Sequence, residues 1–255
     1  MVAELSLSVV VPVKDDAVVL ARCLQLIRQQ TLPPAEIVVV DNDSRDGSAQ
    51  VAARYGATVL AVQVPGIPAA AAAGYDAAVG TVIARCDADS APPPDWLERI
   101  QQAFATDPSL GALVGTGYFY DLPRLWSAVL SPVWRHSYLW GMRLVLGHPP
   151  LWGSNMALRR SAWQEVRTAV DRSDPEVHDD LELSFWLGPQ WSIRYDGRLR
   201  VGVSPRCLYG LAQIRRRWAR TFHTVGVHWA IERLWTRWRR RKARRIIRQV
   251  PPGNG

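Results

Sequence analysis

Six aspartates stand in three close pairs: Asp41 with Asp43, Asp87 with Asp89, and Asp179 with Asp180. In Asp87-Ala88-Asp89 a single residue separates two carboxylates. On a turn, that spacing lets both point the same way and present oxygen ligands to a hard divalent cation such as Mg²⁺ or Mn²⁺. A cation held there bridges diphosphate oxygens and neutralises the charge that grows on a leaving phosphate group. In the adjacent pair, Asp179 and Asp180, like charges repel, which raises one pKa and suits that carboxylate to accept a proton. Each signal has a plainer reading on its own, because an Asp after a strand is most often a turn residue or helix cap. Asp43-Ser44-x-Asp46-Gly47 is good capping chemistry, and Asp179 can cap the helix it precedes. It is the order of all three pairs along one chain that is uncommon.

The elements around these pairs place them at one edge of a sheet. Residues 7–13 and 36–40 are short, continuous, β-branched apolar runs ending in Lys or Asp, the pattern of buried parallel strands. Between them, residues 17–30 set Val18, Leu20, Cys23, Leu24, Leu26 and Ile27 mostly on one helical face. The alternation continues with a helix at 46–55, a strand at 58–64, an Ala-rich helix at 68–78 and a strand at 81–86. Asp95, following Pro92–Pro94, opens a helix at 96–106, and a strand near 113–120 follows. Such alternation predicts an α/β fold with a mostly parallel sheet flanked by helices. Ligands of open α/β sheets bind beyond the carboxyl ends of the strands, so the aspartates are expected in one cleft.

The remainder of the chain differs in composition. Over 255 residues it is 48% hydrophobic and carries a net charge of +8, unevenly spread. Between Arg215 and Arg248, twelve arginines and Lys242 oppose only Glu232, giving +12 there and −4 elsewhere. Residues 211–248 also repeat apolar positions at three- and four-residue steps: Leu211, Ile214, Trp218, Phe222, Val225 and Trp229, then Ile231, Leu234, Trp235 and Trp238. This is the pattern of a basic amphipathic helix, or two in series, suited to an anionic membrane surface, although part of the stripe can instead pack on the domain. The division expected is a domain at 1–210 and a basic helical tail at 211–255. Residues 125–146 are rich in Trp, Tyr and Leu but contain Pro132, Arg135, His136 and Arg143, which argues against a membrane-spanning helix and leaves interfacial contact or ordinary packing. The start of the chain carries Glu4 and lacks a basic region, so a cytoplasmic location is expected, peripheral on the inner face of the membrane. Cys23, Cys86 and Cys207 fit neither a disulfide framework nor a zinc site and read as reduced thiols.

The blocks VVVPVKDD, EIVVVDNDSRDGS and ARCDADSAPPPDWL, with looser matches at GSNMALRR and HDDLELSFWL, strongly resemble the large inverting glycosyltransferase family 2, over roughly residues 5–205. The resemblance implies a GT-A-like nucleotide-binding fold and metal-assisted single displacement of sugar from a nucleoside diphosphate sugar onto an acceptor, lipid-linked or a cell-envelope glycan. It implies a donor pocket from Pro12, Val13, Lys14, Asp15, Asp41, Asp43 and Asp87, and a metal carboxylate at Asp89 with Asp87 beside it. Asp180 is implied as the catalytic base, with Asn155, His178 and Asp179 in acceptor or supporting positions. Three departures stand out. Residues 69–73 are all Ala, where relatives often offer a basic group to the diphosphate. Trp186 stands near the place of an Arg that often follows the base. Gln213-Ile-Arg-Arg-Arg217-Trp218 is one residue longer than the Q-x-x-R-W of processive members, which favours single transfer over polymerisation.

Two other readings compete. A nucleotidyltransferase also uses a metal carboxylate on an α/β fold, but PVKDD lacks the Gly-rich phosphate loop. A membrane or nucleic-acid binding module explains the tail but leaves the carboxylates without a purpose, and carboxylates repel a nucleic-acid backbone, so no nucleic-acid partner is expected.

Overall fold

The computed structural model describes residues 5–231 and Thr236; the part of the expected basic tail beyond Thr236 lies outside the described residues. The strands are β1 (Leu7–Val13), β2 (Glu36–Asp41), β3 (Thr58–Ala61), β4 (Val82–Arg85), β5 (Leu110–Phe119), β6 (Met156–Arg159) and β7 (Ser192–Val203). They form one sheet in the order β3-β2-β1-β4-β6-β5-β7. β1 pairs in parallel with β2 and β4, and β2 with β3, while β6 runs antiparallel between β4 and β5. β7 closes the edge in parallel with β5. The helices are α1 (Ala17–Arg28), α2 (Ser48–Arg54), α3 (Ile67–Ala77), α4 (Trp96–Thr106), α5 (Arg124–Leu146), α6 (Arg160–Val166), α7 (Asp179–Leu187) and α8 (Leu211–Ile231).

The apolar runs sit where the two faces of the sheet both need covering. Val9, Val11, Ile37 and Val39 join one core with α1 and α4, whereas Val10, Val38 and Val40 join a second with α3 and α6. Successive strand residues point to opposite faces, so a strand buried on both reads as unbroken Val and Ile. The Ala-rich α3 is explained by its closeness to the sheet. A Cβ on Gly74 would lie 2.4 Å from Val10 Cγ1 and 2.9 Å from Val40 Cγ2, and Ala69 to Ala72 are all buried. Larger side chains would lift α3 off β1 and β2. Within α1, Leu20, Cys23, Leu24 and Ile27 are buried as expected, but Val18 is 86% exposed at the first turn. Cys23 and Cys86, distant in sequence, are buried free thiols with Sγ atoms 3.8 Å apart.

The outer helices are arranged less conventionally. α5 packs Met142 and Leu146 against Leu181 and Phe185 of α7. Its other stripe, Trp126, Val129, Val133, Trp140 and Leu144, is exposed. α8 turns Thr221, Thr224 and His228 inward and leaves Leu211, Trp218, Phe222 and Trp229 exposed. Half-buried Val225 is the apolar residue of α8 that joins the packing around α7. No described helix is long and apolar enough to cross a membrane.

Candidate active site

The carboxyl ends of β1, β2 and β4 lie side by side, and the loops leaving them are tied together. Pro12 is tolerated in a central strand because β4 ends its pairing at Val10↔Arg85, so no neighbour on that side needs the missing N–H. Val13 pairs with Asp41, and its carbonyl accepts from Asn42 N (2.9 Å). Lys14 Nζ donates to the carbonyls of Asn42 (2.8 Å) and Asp43 (3.3 Å). Asp15 accepts from Arg45 N (2.7 Å), and Asp41 from Ser44 N (3.1 Å). Asp15 and Asp43 both have positive φ, 51° and 58°, a conformation Asp tolerates better than most side chains. Asn42, given no role from sequence, is buried and binds the carbonyls of Val62 and Val64 and the N–H of Gly66. It joins this pocket wall to the start of α3.

Beyond β4 the carboxylates meet Arg85, a residue sequence reasoning passed over. Arg85 is 2% exposed and pairs with Asp179, with Asp87 (3.5 Å) and with the Tyr75 hydroxyl (3.1 Å). Burial opposes its charge, but Asp179, Tyr75 and Asp87 outweigh that and hold the guanidinium above its ordinary pKa. The signal that could have found it is a charged residue inside an otherwise apolar buried strand. A Cβ on Gly153 would lie 2.6 Å from its guanidinium, so glycine there gives Arg85 its room. Asp87 also takes a hydrogen bond from the Ser154 hydroxyl. Asp89 lies on the same turn, and its Oδ2 is 3.0 Å from an Arg206 nitrogen. Burial, then the charge of Asp87, pushes the Asp89 carboxyl above the usual range.

Asp180 sits on the opposite wall, in the first turn of α7. Its Oδ2 accepts from Gly153 N (2.9 Å) and its Oδ1 from Leu181 N (2.7 Å), which fixes its orientation. Burial and the charge of Asp179 raise its pKa, against the pull of His178 and Arg85. The position before α7 is His178, so Asp179 is not the cap that capping chemistry alone suggested; its carboxylate is spent on Arg85. His178 reaches Asp180 at 3.9 Å through Nδ1 and the Arg217 carbonyl at 3.3 Å through Nε2. Asn155 is fully buried, taking Trp96 Nε1–H (2.9 Å) and giving to the carbonyls of Thr116 and Leu199. It braces the floor and has no face toward a ligand.

A cleft of about 460 Å³ brings Asp87, Asp179, Asp180, His178 and Arg85 together under Tyr138 of α5, Trp152, and Gln213, Arg217 and Trp218 of α8. A second hollow of about 340 Å³ holds Asp87, Asp89, Ser154, Arg206 and Arg217. Among the described residues no group of three or more His, Cys, Asp or Glu could hold a metal alone. Two carboxylates on one turn nonetheless suit Mg²⁺ or Mn²⁺, which take one or two protein carboxylates and complete their shell with phosphate oxygens and water.

The family profile described as "Glycosyl transferase family 2" matches residues 8–167, which run from the second residue of β1 past the end of α6. This chain belongs to that family. It is 32% identical over 100 residues to the glycosyltransferase AglE of Haloferax volcanii, a stretch that makes up 36% of this chain and 33% of that protein. Its fold is similar to the mannosyltransferase PcManGT of Pyrobaculum calidifontis, solved with GDP-Man and Mn²⁺, at a TM-score of 0.65 and 20% identity, covering 85% of this chain and 61% of that one. It is also similar to the glucosyl-3-phosphoglycerate synthase of Mycobacterium tuberculosis, solved with Mn²⁺, UDP and glucosyl-3-phosphoglycerate, at a TM-score of 0.59 and 19% identity, covering 88% and 81%. The chain thus spans about a third of the curated relative and under two thirds of the mannosyltransferase chain. These likenesses establish the A-type glycosyltransferase fold with its mostly parallel sheet.

Proposed function

We propose that this glycosyltransferase moves a sugar from a nucleoside diphosphate sugar to an acceptor by a single inverting displacement, with Asp180 as the base. The observation that carries this reading is the placement of Asp180. It is a buried, uprated carboxylate held by two backbone N–H groups, across one cleft from Asp87. Asp180 takes the proton of the acceptor hydroxyl as its oxygen bonds to the anomeric carbon. The bond from that carbon to the diphosphate breaks, and its electron pair leaves on the diphosphate oxygen. A base works best when its pKa lies nearer the working pH than that of an ordinary aspartate, and burial moves Asp180 in that direction. Asp89, with Asp87, would hold Mg²⁺ or Mn²⁺, which supplies charge to stabilise the departing diphosphate. Arg85 restrains Asp87 and Asp179, so that the acidic floor does not spread apart. Lys14, Asp15, Asp41 and Asp43 line the donor's nucleotide end.

The acceptor is reached from a membrane surface. Two observations support this: the exposed apolar stripes of α5 and α8, and the fact that both helices line the cleft, through Tyr138 and through Gln213 to Thr221. Exposed Arg215 and Arg216 sit on the same α8, so charge and aromatic rings can meet an anionic bilayer together. The protein then works as a peripheral enzyme on the cytoplasmic face. The test is product analysis after incubation with a panel of UDP- and GDP-sugars, with and without a chelator. Turnover of one donor, lost on chelation and restored by Mn²⁺ or Mg²⁺, is the expected result. Full turnover in chelator would remove the metal from the reading.

A further inference from the structure

Arg206 occupies the corner between the donor loop and the Asp-x-Asp turn. Its Nη1 is 2.7 Å from Asp16 Oδ1 and its Nη2 is 3.0 Å from Asp16 Oδ2, a two-pronged contact, while the same Nη2 lies 3.0 Å from Asp89 Oδ2. The residue is carried by the short turn Pro205–Leu208, between the end of β7 and the start of α8. Ser204 and Gly210 bracket that turn: the Ser204 hydroxyl accepts from Arg206 N, and Gly210 adopts φ +91° with nothing within 4 Å of where a Cβ would be. The guanidinium therefore joins three parts of the chain through exposed or half-buried side chains, not through a packed core. Around the same corner, Lys14 is committed to loop carbonyls and Arg85 to Asp87 and Asp179. Arg217 lines the same hollow, and Arg206 is the cation paired with Asp89.

We propose that Arg206 is an exchangeable counter-ion for this corner. Without ligand it neutralises Asp16 and Asp89 and draws the donor loop toward the metal turn. A divalent cation arriving on Asp89 displaces it, and the freed guanidinium then faces the diphosphate that accompanies the cation. The argument rests on the reading above that Asp89 carries the metal. An oxygen that takes a charge-assisted hydrogen bond from Arg cannot donate the same lone pair to a cation, and the two positive charges repel at ligand distance. The second role follows from composition: residues 69–73 offer the diphosphate no basic group, and Arg206 stands in the hollow with Asp87 and Asp89 where that charge is needed. Planar guanidinium suits both tasks, since it pairs equally with a carboxylate or a phosphate.

The experiment is a titration of the full chain with Mn²⁺ alone, followed by manganese electron spin resonance or calorimetry, and then with UDP or GDP in saturating Mn²⁺. The Arg206→Gln variant should bind Mn²⁺ alone roughly three- to tenfold more tightly than the native chain, the size of one or two partly exposed ion pairs. It should bind UDP or GDP in the presence of Mn²⁺ less tightly than the native chain. Arg206→Lys, which keeps the charge but not the two-pronged geometry, should fall between the two in both titrations. Equal or weaker binding of Mn²⁺ alone by Arg206→Gln would overturn the counter-ion exchange, and undiminished binding of both nucleotides would overturn the diphosphate role. Asp89→Asn separates the two layers of argument: if it still binds Mn²⁺ like the native chain, the metal assignment itself fails, whatever Arg206 does.

Discussion

The cleft and the helices that roof it follow opposite rules. In the cleft, buried charge and buried polar groups are answered by partners: Arg85 by Asp87 and Asp179, Asp180 by two backbone N–H groups, and the neutral Asn155 amide by three bonds. Unanswered charge in a low-dielectric interior is costly, so this is what a fold must do to keep acidic groups near one another. On α8 the usual distribution is reversed, since it turns Thr221, Thr224 and His228 inward and presents Trp218, Phe222 and Trp229 to the outside, and α5 carries an exposed apolar stripe beside its packed one. Scattered surface hydrophobics need no explanation, but an exposed apolar stripe on each of two helices lining one cleft does. The difference is between a cleft whose buried polar groups find partners among the described residues and a roof whose apolar stripes the described residues leave uncovered.

Four changes would sharpen or break that contrast. Asp180→Asn keeps the shape of the cleft but cannot accept a proton, so turnover should fall by roughly two to four orders of magnitude with donor affinity nearly unchanged. The native rate should fall in acid as Asp180 protonates, at a pH above the ordinary aspartate range because its pKa is raised, and the variant should lack that limb. Arg85→Met removes the buried partner of Asp87 and Asp179, and urea unfolding should show a loss of about 3–5 kcal/mol. If Arg85→Met is nearly neutral, the cleft's charges are not balanced as described.

The third change sits at the seam between the two regions. Glu182 on α7 is buried beside His228 of α8, with its Oε1 3.9 Å from Nε2, and burial raises its carboxyl from 4.5 to about 7. Folding then favours the protonated carboxyl, so stability present in acid is lost as pH rises from 4.5 through about 7. Relative to Glu182→Gln, the native chain should lose on the order of 2 kcal/mol between mildly acidic and mildly basic pH, measured by denaturant melts at each pH. A gap that stays constant with pH would mean that Glu182 titrates normally. The smallest change in stability belongs to the roof: Trp126→Ser with Trp140→Ser should alter it by under about 0.5 kcal/mol each. The same pair should nonetheless reduce sedimentation with anionic vesicles. A large loss of stability would show that these rings pack on the protein after all.

Much of the fold was legible because parallel strands buried on both faces leave long Val and Ile runs, and α4 begins and ends at Trp96 and Thr106 as the pattern of Asp95 and the apolar positions required. The antiparallel β6 and the edge strand β7 were not foreseen. β6 is only four residues long, and β7 alternates Arg and Asp with apolar residues at an edge, so neither leaves an unbroken apolar run. The aspartate pairs were visible as motifs, but Arg85 and Arg206 were not, because what makes them important is a meeting in space with Asp179 and Asp89, 94 and 117 residues away along the chain. Periodicity likewise revealed the stripe on α8 without revealing which side of it faces out.

The central claim is that Asp180 and the Asp-x-Asp turn carry out one inverting displacement in this cleft. It is tested most directly by the anomeric configuration of the sugar first transferred, or first released to water, from the accepted donor, read by proton magnetic resonance before mutarotation. An anomer opposite to that of the donor is the result expected of a single displacement with Asp180 as base. Retention of the donor's configuration would contradict it.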